Sequence, residues 1–215
     1  MTMAERWCVI IGDVIESRSV TDREALRAAL NQGVSRATDA LADQTVAPFS
    51  VLKGVDEVGG VIRNPGHAYR AIREITESIH PTAIRFAVVH GEVDVGMTTS
   101  EVSEMDGPAF HKADTLLADI TENGRAVALH DPVVKSWLLS LLADQIHLLF
   151  AWKQEWTPHQ ASIVHEYRER KSMQALADDR DVSIQAVSQT LSRAKAEMVL
   201  STEANLEAAM TEVWE

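Results

Sequence analysis

The sequence predicts an α+β fold: a ferredoxin- or palm-like sheet with helices on one face, followed by an all-α helix-turn-helix. Three observations predict it. Short β-branched runs alternate with amphipathic helical stretches over residues 1–130. A long apolar helical pattern follows over 131–155, the connecting or dimerisation helix. Residues 156–215 then read as short helices separated by tight turns, the arrangement of a helix-turn-helix domain.

The elements follow in order. Trp7 to Val14 is a buried strand, and a helix opens after it at Thr21 with Glu24 three residues on, a capping box. Leu26, Leu30, Ala37 and Leu41 form its apolar stripe. Phe49–Leu52 and Val58–Ile62 form a hairpin with the acidic tip Lys53-Gly54-Val55-Asp56-Glu57. Asn64 and Pro65 start a second helix, with Ala68, Ile72, Ile75 and Ile79 at helical spacing and Pro81 closing it. Ile84–Val89 and Glu92–Val95 read as a second hairpin across His90-Gly91. A third helix spans 107–120 and ends near Gly124, with a closing strand from Arg125 to Leu129. Asp131-Pro132 opens the long helix, whose Trp137, Leu138, Leu141, Leu142, Ile146, Leu148, Leu149 and Trp152 make it apolar on more than one side. Such a helix is packed between domains or shared with another subunit.

Composition narrows the class. The chain has 215 residues, 46% hydrophobic and 24% charged, which describes an ordinary globular protein able to bury a core. No basic start with an apolar run precedes Trp7, and Val133–Trp152 is broken by Lys135, Asp144, Gln145 and His147. A cytoplasmic protein with no membrane partner is therefore expected. The single cysteine, Cys8, reads as a small buried hydrophobe. The net charge of -12 is unevenly spread: residues 157–200 hold six basic and six acidic groups, so the acid lies elsewhere. A neutral reader on an acidic body binds DNA weakly at moderate salt.

Two constellations carry chemistry. Asp13 ends the first strand and Asp56 and Glu57 occupy the hairpin tip, so a sheet pairing these strands brings hard oxygens to one end. Mg²⁺ takes such carboxylates together with phosphate oxygens; solvated strand ends explain the same acids without a metal. Around them, Arg18 and Arg85 are placed to face an acidic ligand pocket or to neutralise these carboxylates. Asp106 and Gly107 precede the third helix, where free amides can receive a phosphate or ribose oxygen, and Lys112 is a candidate phosphate counter-ion. An N-cap before Pro108 accounts for the same turn with no ligand. In the C-terminal part, Ser183 caps a helix whose Ile184, Val187 and Leu191 face inward. That leaves Gln185, Ser188, Gln189, Ser192 and Arg193 outward; Gln reads adenine and Arg reads guanine in the major groove.

The blocks Ile11-Gly12-Asp13-Val14-Ile15-Glu16-Ser17-Arg18, Val55-Asp56-Glu57-Val58-Gly59-Gly60-Val61 and Met105-Asp106-Gly107-Pro108-Ala109-Phe110-His111 resemble the signature blocks of the SatD family. The resemblance covers the whole chain. It implies a palm domain similar to class III nucleotidyl cyclases and diguanylate cyclases, often with a C-terminal helix-turn-helix, and metal carboxylates at Asp13 and Asp56 with Glu57 beside them. The middle block departs from the family, with Val55 in place of a glycine. Thr157-Pro158, Gln160, Ala175-Leu176-Ala177, Val182-Ser183, Val187-Ser188, Leu191 and Arg193-Ala194 resemble the helix-turn-helix of sigma-factor region 4 and response-regulator domains.

Together these residues point to a DNA-binding regulator with a nucleotide-sensing, non-catalytic palm, working as a homodimer on two-fold symmetric sites. The rival is a Mg²⁺-dependent nucleotidyl transferase or cyclase acting on a nucleoside triphosphate. The missing glycine and the lack of an evident triphosphate-binding Lys/Arg cluster point away from it. A non-catalytic scaffold is the third reading.

Overall fold

The computed structural model of the chain describes residues 5–215. Five strands form one sheet: β1 (Glu5–Val14), β2 (Thr45–Lys53), β3 (Glu57–Ile62), β4 (Ile84–Val93) and β5 (Val127–His130). Their order is β2-β3-β1-β4-β5, antiparallel except for the parallel β4–β5 pair. β1 sits at the centre because it is apolar on both faces. Cys8, Ile10 and Val14 face one core, and Trp7, Val9 and Ile11 face the other.

Two helices, α1 (Arg23–Ala40) and α2 (Ala68–Ile79), pack on the first face through Leu26, Leu30, Val34, Ala37, Ile72, Ile75 and Ile79. A third, α3 (Pro108–Asn123), crosses the opposite face, where Ala109 and Ala113 lie against Val9, Ile11, Ala87 and Val89. α1 and α2 therefore cover one face of the sheet, and α3, the crossover between parallel β4 and β5, covers the other.

Three local expectations differ. The capping side chain of α1 is Asp22, whose carboxylate accepts from the Ala25 N–H at 2.9 Å, one residue after the predicted Thr21. No second hairpin forms at His90-Gly91. β4 runs unbroken beside all ten residues of β1, and Gly91 lies opposite Trp7 within the ladder. A Cβ at Gly91 would stand 3.2 Å from that of Ala109, so the glycine serves the close approach of α3 rather than a turn. Asp131 does not open the long helix. It is 2% exposed and accepts from Arg6, Trp214 and the Val133 N–H and pairs with His90 Nδ1, while α4 begins only at Ser136 (Ser136–Gln154).

Beyond α4 lie α5 (Pro158–Arg170), α6 (Met173–Asp179), α7 (Ile184–Arg193) and α8 (Ala196–Trp214). The Thr157–Gln160 capping box opens α5, and the Ser172 and Ser183 hydroxyls cap α6 and α7. α8 doubles back to pack on the turn at Pro65–His67. One apolar core runs from the sheet through Leu142, Ile146 and Phe150 of α4 into Ile163, Leu176, Val187, Leu206 and Met210. Among the described residues, no helix is long and apolar enough to cross a membrane.

Candidate functional site

The acidic edge forms where β1 and β3 end. Asp13 lies directly opposite Glu57 on one side and Arg85 on the other, so the three side chains share the face covered by α3. Glu57 is the first residue of β3 rather than part of the tip. The left-handed residue of the turn is Gly54 (φ 55°), and Val55 is buried in the α1 core. The turn thus obtains its positive φ one position before the family glycine, and Val55 needs no strained backbone. Asp56 follows, its carbonyl accepting from the Val14 N–H at 2.7 Å, which fastens the turn to the end of β1.

The electrostatics are those of a crowded acidic site. Burial raises the Asp13 carboxyl above its ordinary range; the Arg85 guanidinium opposes this and the Asp56 charge adds to it. Burial likewise raises Glu57, with Asp114 on α3 adding, Lys53 opposing and Asp13 adding. Asp13 and Asp56 are therefore close enough for their charges to interact. One Asp56 oxygen, Oδ1, is buried with no hydrogen-bond partner and stands 4.0 Å from Arg23 of α1. Arg85 Nε is buried and unpartnered as well. Among the described residues, no three or more His, Cys, Asp or Glu side chains gather in a geometry that holds a metal ion. Asp13, Asp56 and Glu57 share an edge without forming a closed ligand cage.

Beside Asp56 opens a cleft of about 660 Å³ between α1 and the β2–β3 turn, lined by Arg23, Arg27, Asn31, Phe49, Val51 and Val55 among others. Two guanidiniums, an amide and the Glu24 carboxylate thus line one side of the cleft, with Phe49, Val51 and Val55 on the other. Sequence reasoning missed them. The spacing of Arg23, Arg27 and Asn31, four residues apart and flanking the buried Leu26-Leu30 stripe, is the signal that marks them as one exposed face.

Of the other predicted ligand residues, Asp106, Gly107 and Lys112 do not join this edge. Arg18 lies in the 3-10 turn after β1, exposed. Asp106 pairs with Val95 beyond the far end of β4, about 30 Å from Arg85 at strand rise. Its carboxylate accepts from the Gly107 N–H at 2.7 Å and lies 3.2 Å from His111 Nε2, which closes the turn into α3. Gly107 has a φ of 145° and sits against Asp94. Lys112 lines a separate cleft of about 240 Å³ with Arg6, His90 and His130. These three residues serve the opposite end of the sheet.

The second constellation is α7. Gln185, Ser188, Gln189, Ser192 and Arg193 are all exposed, while Val187 and Leu191 are buried; Ile184, expected inward, is 40% exposed. The helix is held from below. The indoles of Trp152 and Trp156 both donate to the Ala194 carbonyl at its C-terminus, at 3.4 and 3.0 Å. Of the nearby cations, Arg168 pairs inward with Glu77 and Glu203, Arg170 with Asp179 and Arg180 with Glu166.

A buried ionic knot joins this unit to the sheet. Arg168 donates to both Glu77 oxygens at 2.6 and 2.8 Å and to Glu203 at 2.8 Å; Lys153 also pairs with both carboxylates, and Tyr69 donates to Glu203 at 2.7 Å. Burial acts to raise the Glu77 carboxyl, but Lys153, the His165 contact and Arg168 together hold it well below its ordinary range.

A five-stranded α+β sheet with an acidic edge, joined through one apolar core and a buried ionic knot to the helices α4–α8, defines the class. The chain belongs to the SatD family, whose model matches residues 7–210. No curated protein matches it. Two solved structures of bacterial light-regulated adenylyl cyclases are similar to it. One is 17% identical, with a TM-score of 0.41 over 58% of this chain and 74% of that one. The other is 13% identical, with a TM-score of 0.41 over 67% and 59%.

Proposed function

We propose that the chain is a DNA-binding regulator whose palm-like half senses a nucleotide with a divalent cation. The observation that carries this reading is the polar outward face of α7, with Gln185, Ser188, Gln189, Ser192 and Arg193 exposed and the helix anchored at Ala194. Major-groove recognition uses such side chains. Lys171, Arg193 and Lys195 are left as the basic groups of this unit free for phosphates, since the three other arginines are engaged in ion pairs.

The sensing half rests on the acidic edge and its cleft. Mg²⁺ binds through one or two carboxylates and takes its remaining ligands from phosphate and water. Asp13 and Asp56 fit that role, because their like charges oppose each other and, among the described residues, Asp56 Oδ1 accepts no hydrogen bond, Arg23 standing 4.0 Å away. Bound there, the ion would neutralise the acids and the phosphates together. Arg23 and Arg27 supply cationic contacts for a phosphate chain, and the apolar wall of Phe49 and Val51 suits a base. Arg85, opposite Asp13 on β4, partly offsets the charge of that carboxylate.

In gel-shift titrations across genomic fragments, sequence-selective binding is expected and is lost in Gln189→Ala plus Arg193→Ala. Binding of no fragment at any salt concentration would refute the reader. The Arg23–Arg27 pair also favours a second reading, a nucleotidyl transferase or cyclase. Incubation with each nucleoside triphosphate and Mg²⁺ or Mn²⁺ separates the two: product that disappears in Asp56→Asn would make the palm an enzyme.

A further inference from the structure

Helix α4 presents an apolar stripe to solvent on the side away from the core. Trp137 is 66% exposed, Leu141 55%, Leu148 68% and Trp152 44%. At 3.6 residues per turn these four positions fall within about 60° of arc, one continuous face. The opposite side of the same helix, Leu139, Leu142, Ile146, Leu149 and Phe150, is buried in the protein.

The stripe is a palindrome. Its midpoint lies between Asp144 and Gln145, with a leucine and then a tryptophan at mirrored spacings on either side. A second α4 laid antiparallel about that midpoint meets Trp137 with its own Trp152, Leu141 with its Leu148 and Asp144 with its Gln145. Isologous two-fold contacts require such self-complementarity. We propose that α4 is the homodimer interface of this protein, an antiparallel α4–α4′ seam on a two-fold axis at Asp144/Gln145.

Charge supports the same occupant. The one acid in the stripe, Asp144, is paired with Arg125 of its own copy and so enters the seam neutralised. Lys135 precedes α4 and Glu155 caps its C-terminus, both exposed and both mismatched to their own helix dipole. Antiparallel pairing brings Lys135 of each copy to the end of the other that carries Glu155. The exposed parts of the four apolar side chains come to roughly 500 Å² per copy, so the pair buries on the order of 1,000 Å² from them alone, the threshold for a specific interface. The seam requires neither nucleotide nor DNA. It also relates the two α7 helices by the same axis, since Trp152 belongs to the stripe and bonds the end of α7.

Sedimentation equilibrium of the full chain tests this. The wild type is expected at twice the 23.7 kDa chain mass. Its association should strengthen with added salt, because two copies of charge -12 repel while an apolar seam does not weaken. Leu148→Glu, placed on both sides of the axis, should weaken association by roughly a hundredfold with an unchanged circular dichroism spectrum. A wild type that stays monomeric at every concentration, or a dimer that Leu148→Glu leaves intact, overturns the proposal. Should Leu148→Glu fail to fold, cysteine cross-linking decides. Gln145→Cys lies about half a residue from the axis, about one residue from its mate, and is expected to form a covalent dimer on oxidation. Trp137→Cys, fifteen residues from its mate and so about 22 Å away, should not. Cross-linking in the reverse order, or in neither variant, also overturns it. Cys8 is fully buried with its thiol pushed up by that burial, so it stays out of the reaction.

Discussion

Glu77 is a largely buried carboxylate and Asp13 a partly buried one, yet they act on stability with opposite signs. Glu77 is held below its ordinary value, so its contribution is complete above the unfolded carboxylate range near 4.5 and is lost as pH falls through the lower folded value. Melting temperature should fall on acidification below about pH 4.5, and Glu77→Gln should flatten that dependence. Arg168→Met leaves two buried carboxylates sharing Lys153 and should cost about 3–5 kcal/mol at neutral pH, read by urea denaturation. Asp13 runs the other way. Its folded value is raised, so the ionised group opposes folding once pH has risen past that value. Asp13→Asn should therefore raise the melting temperature at neutral pH in the absence of ligand; an unchanged or lower value would contradict the burial cost ascribed to the Asp13 carboxylate. Asp13 and Asp56 were legible in the sequence because strand ends and hairpin tips are local features. The knot was not, since it joins Tyr69, Glu77, Lys153, Arg168 and Glu203 across as many as 134 positions and each alone reads as a solvated charge.

At the scale of elements, glycine decided where local reading succeeded and where it failed. Gly54 and Gly124 carry the positive φ that their turn and helix end require, and both boundaries fall close to where the pattern put them. Gly91 looked the same in sequence but serves packing, because whether a glycine marks a turn or a close approach depends on what lies above it. Gly12 is a second packing glycine: a Cβ there would meet the Phe86 ring at 2.6 Å. Gly12→Ala should cost about 1–3 kcal/mol in urea denaturation and displace β1 just before Asp13. A cost near zero would mean that Phe86 turns aside freely. Helices α5 and α7 were legible in sequence because Thr157 with Gln160 and Ser183 cap them; α8 starts without a capping side chain and left no such signal. The docking of the C-terminal helices was not legible, because the contacts of α8 with the Pro65–His67 turn and of Trp214 with Asp131 reach back over more than eighty residues.

At the scale of the whole molecule, the sheet and the trihelical unit share one core and one ionic knot, so a change at the acidic edge has a mechanical route to α7. The route runs from the cleft through α1 to α2, which packs on it and carries Glu77, then through Arg168 of α5 to α6 and α7. Coupling of this kind is reciprocal: a nucleotide that alters DNA affinity must itself be bound differently on DNA. The direct measurement is the DNA affinity of the full chain, at fixed salt, with and without a nucleoside triphosphate and Mg²⁺. A change of about five-fold or more is expected in the wild type, and none in Asp13→Asn. Affinities that are identical with and without the nucleotide, for a nucleotide shown to bind, would contradict the proposed link between the palm and the reader.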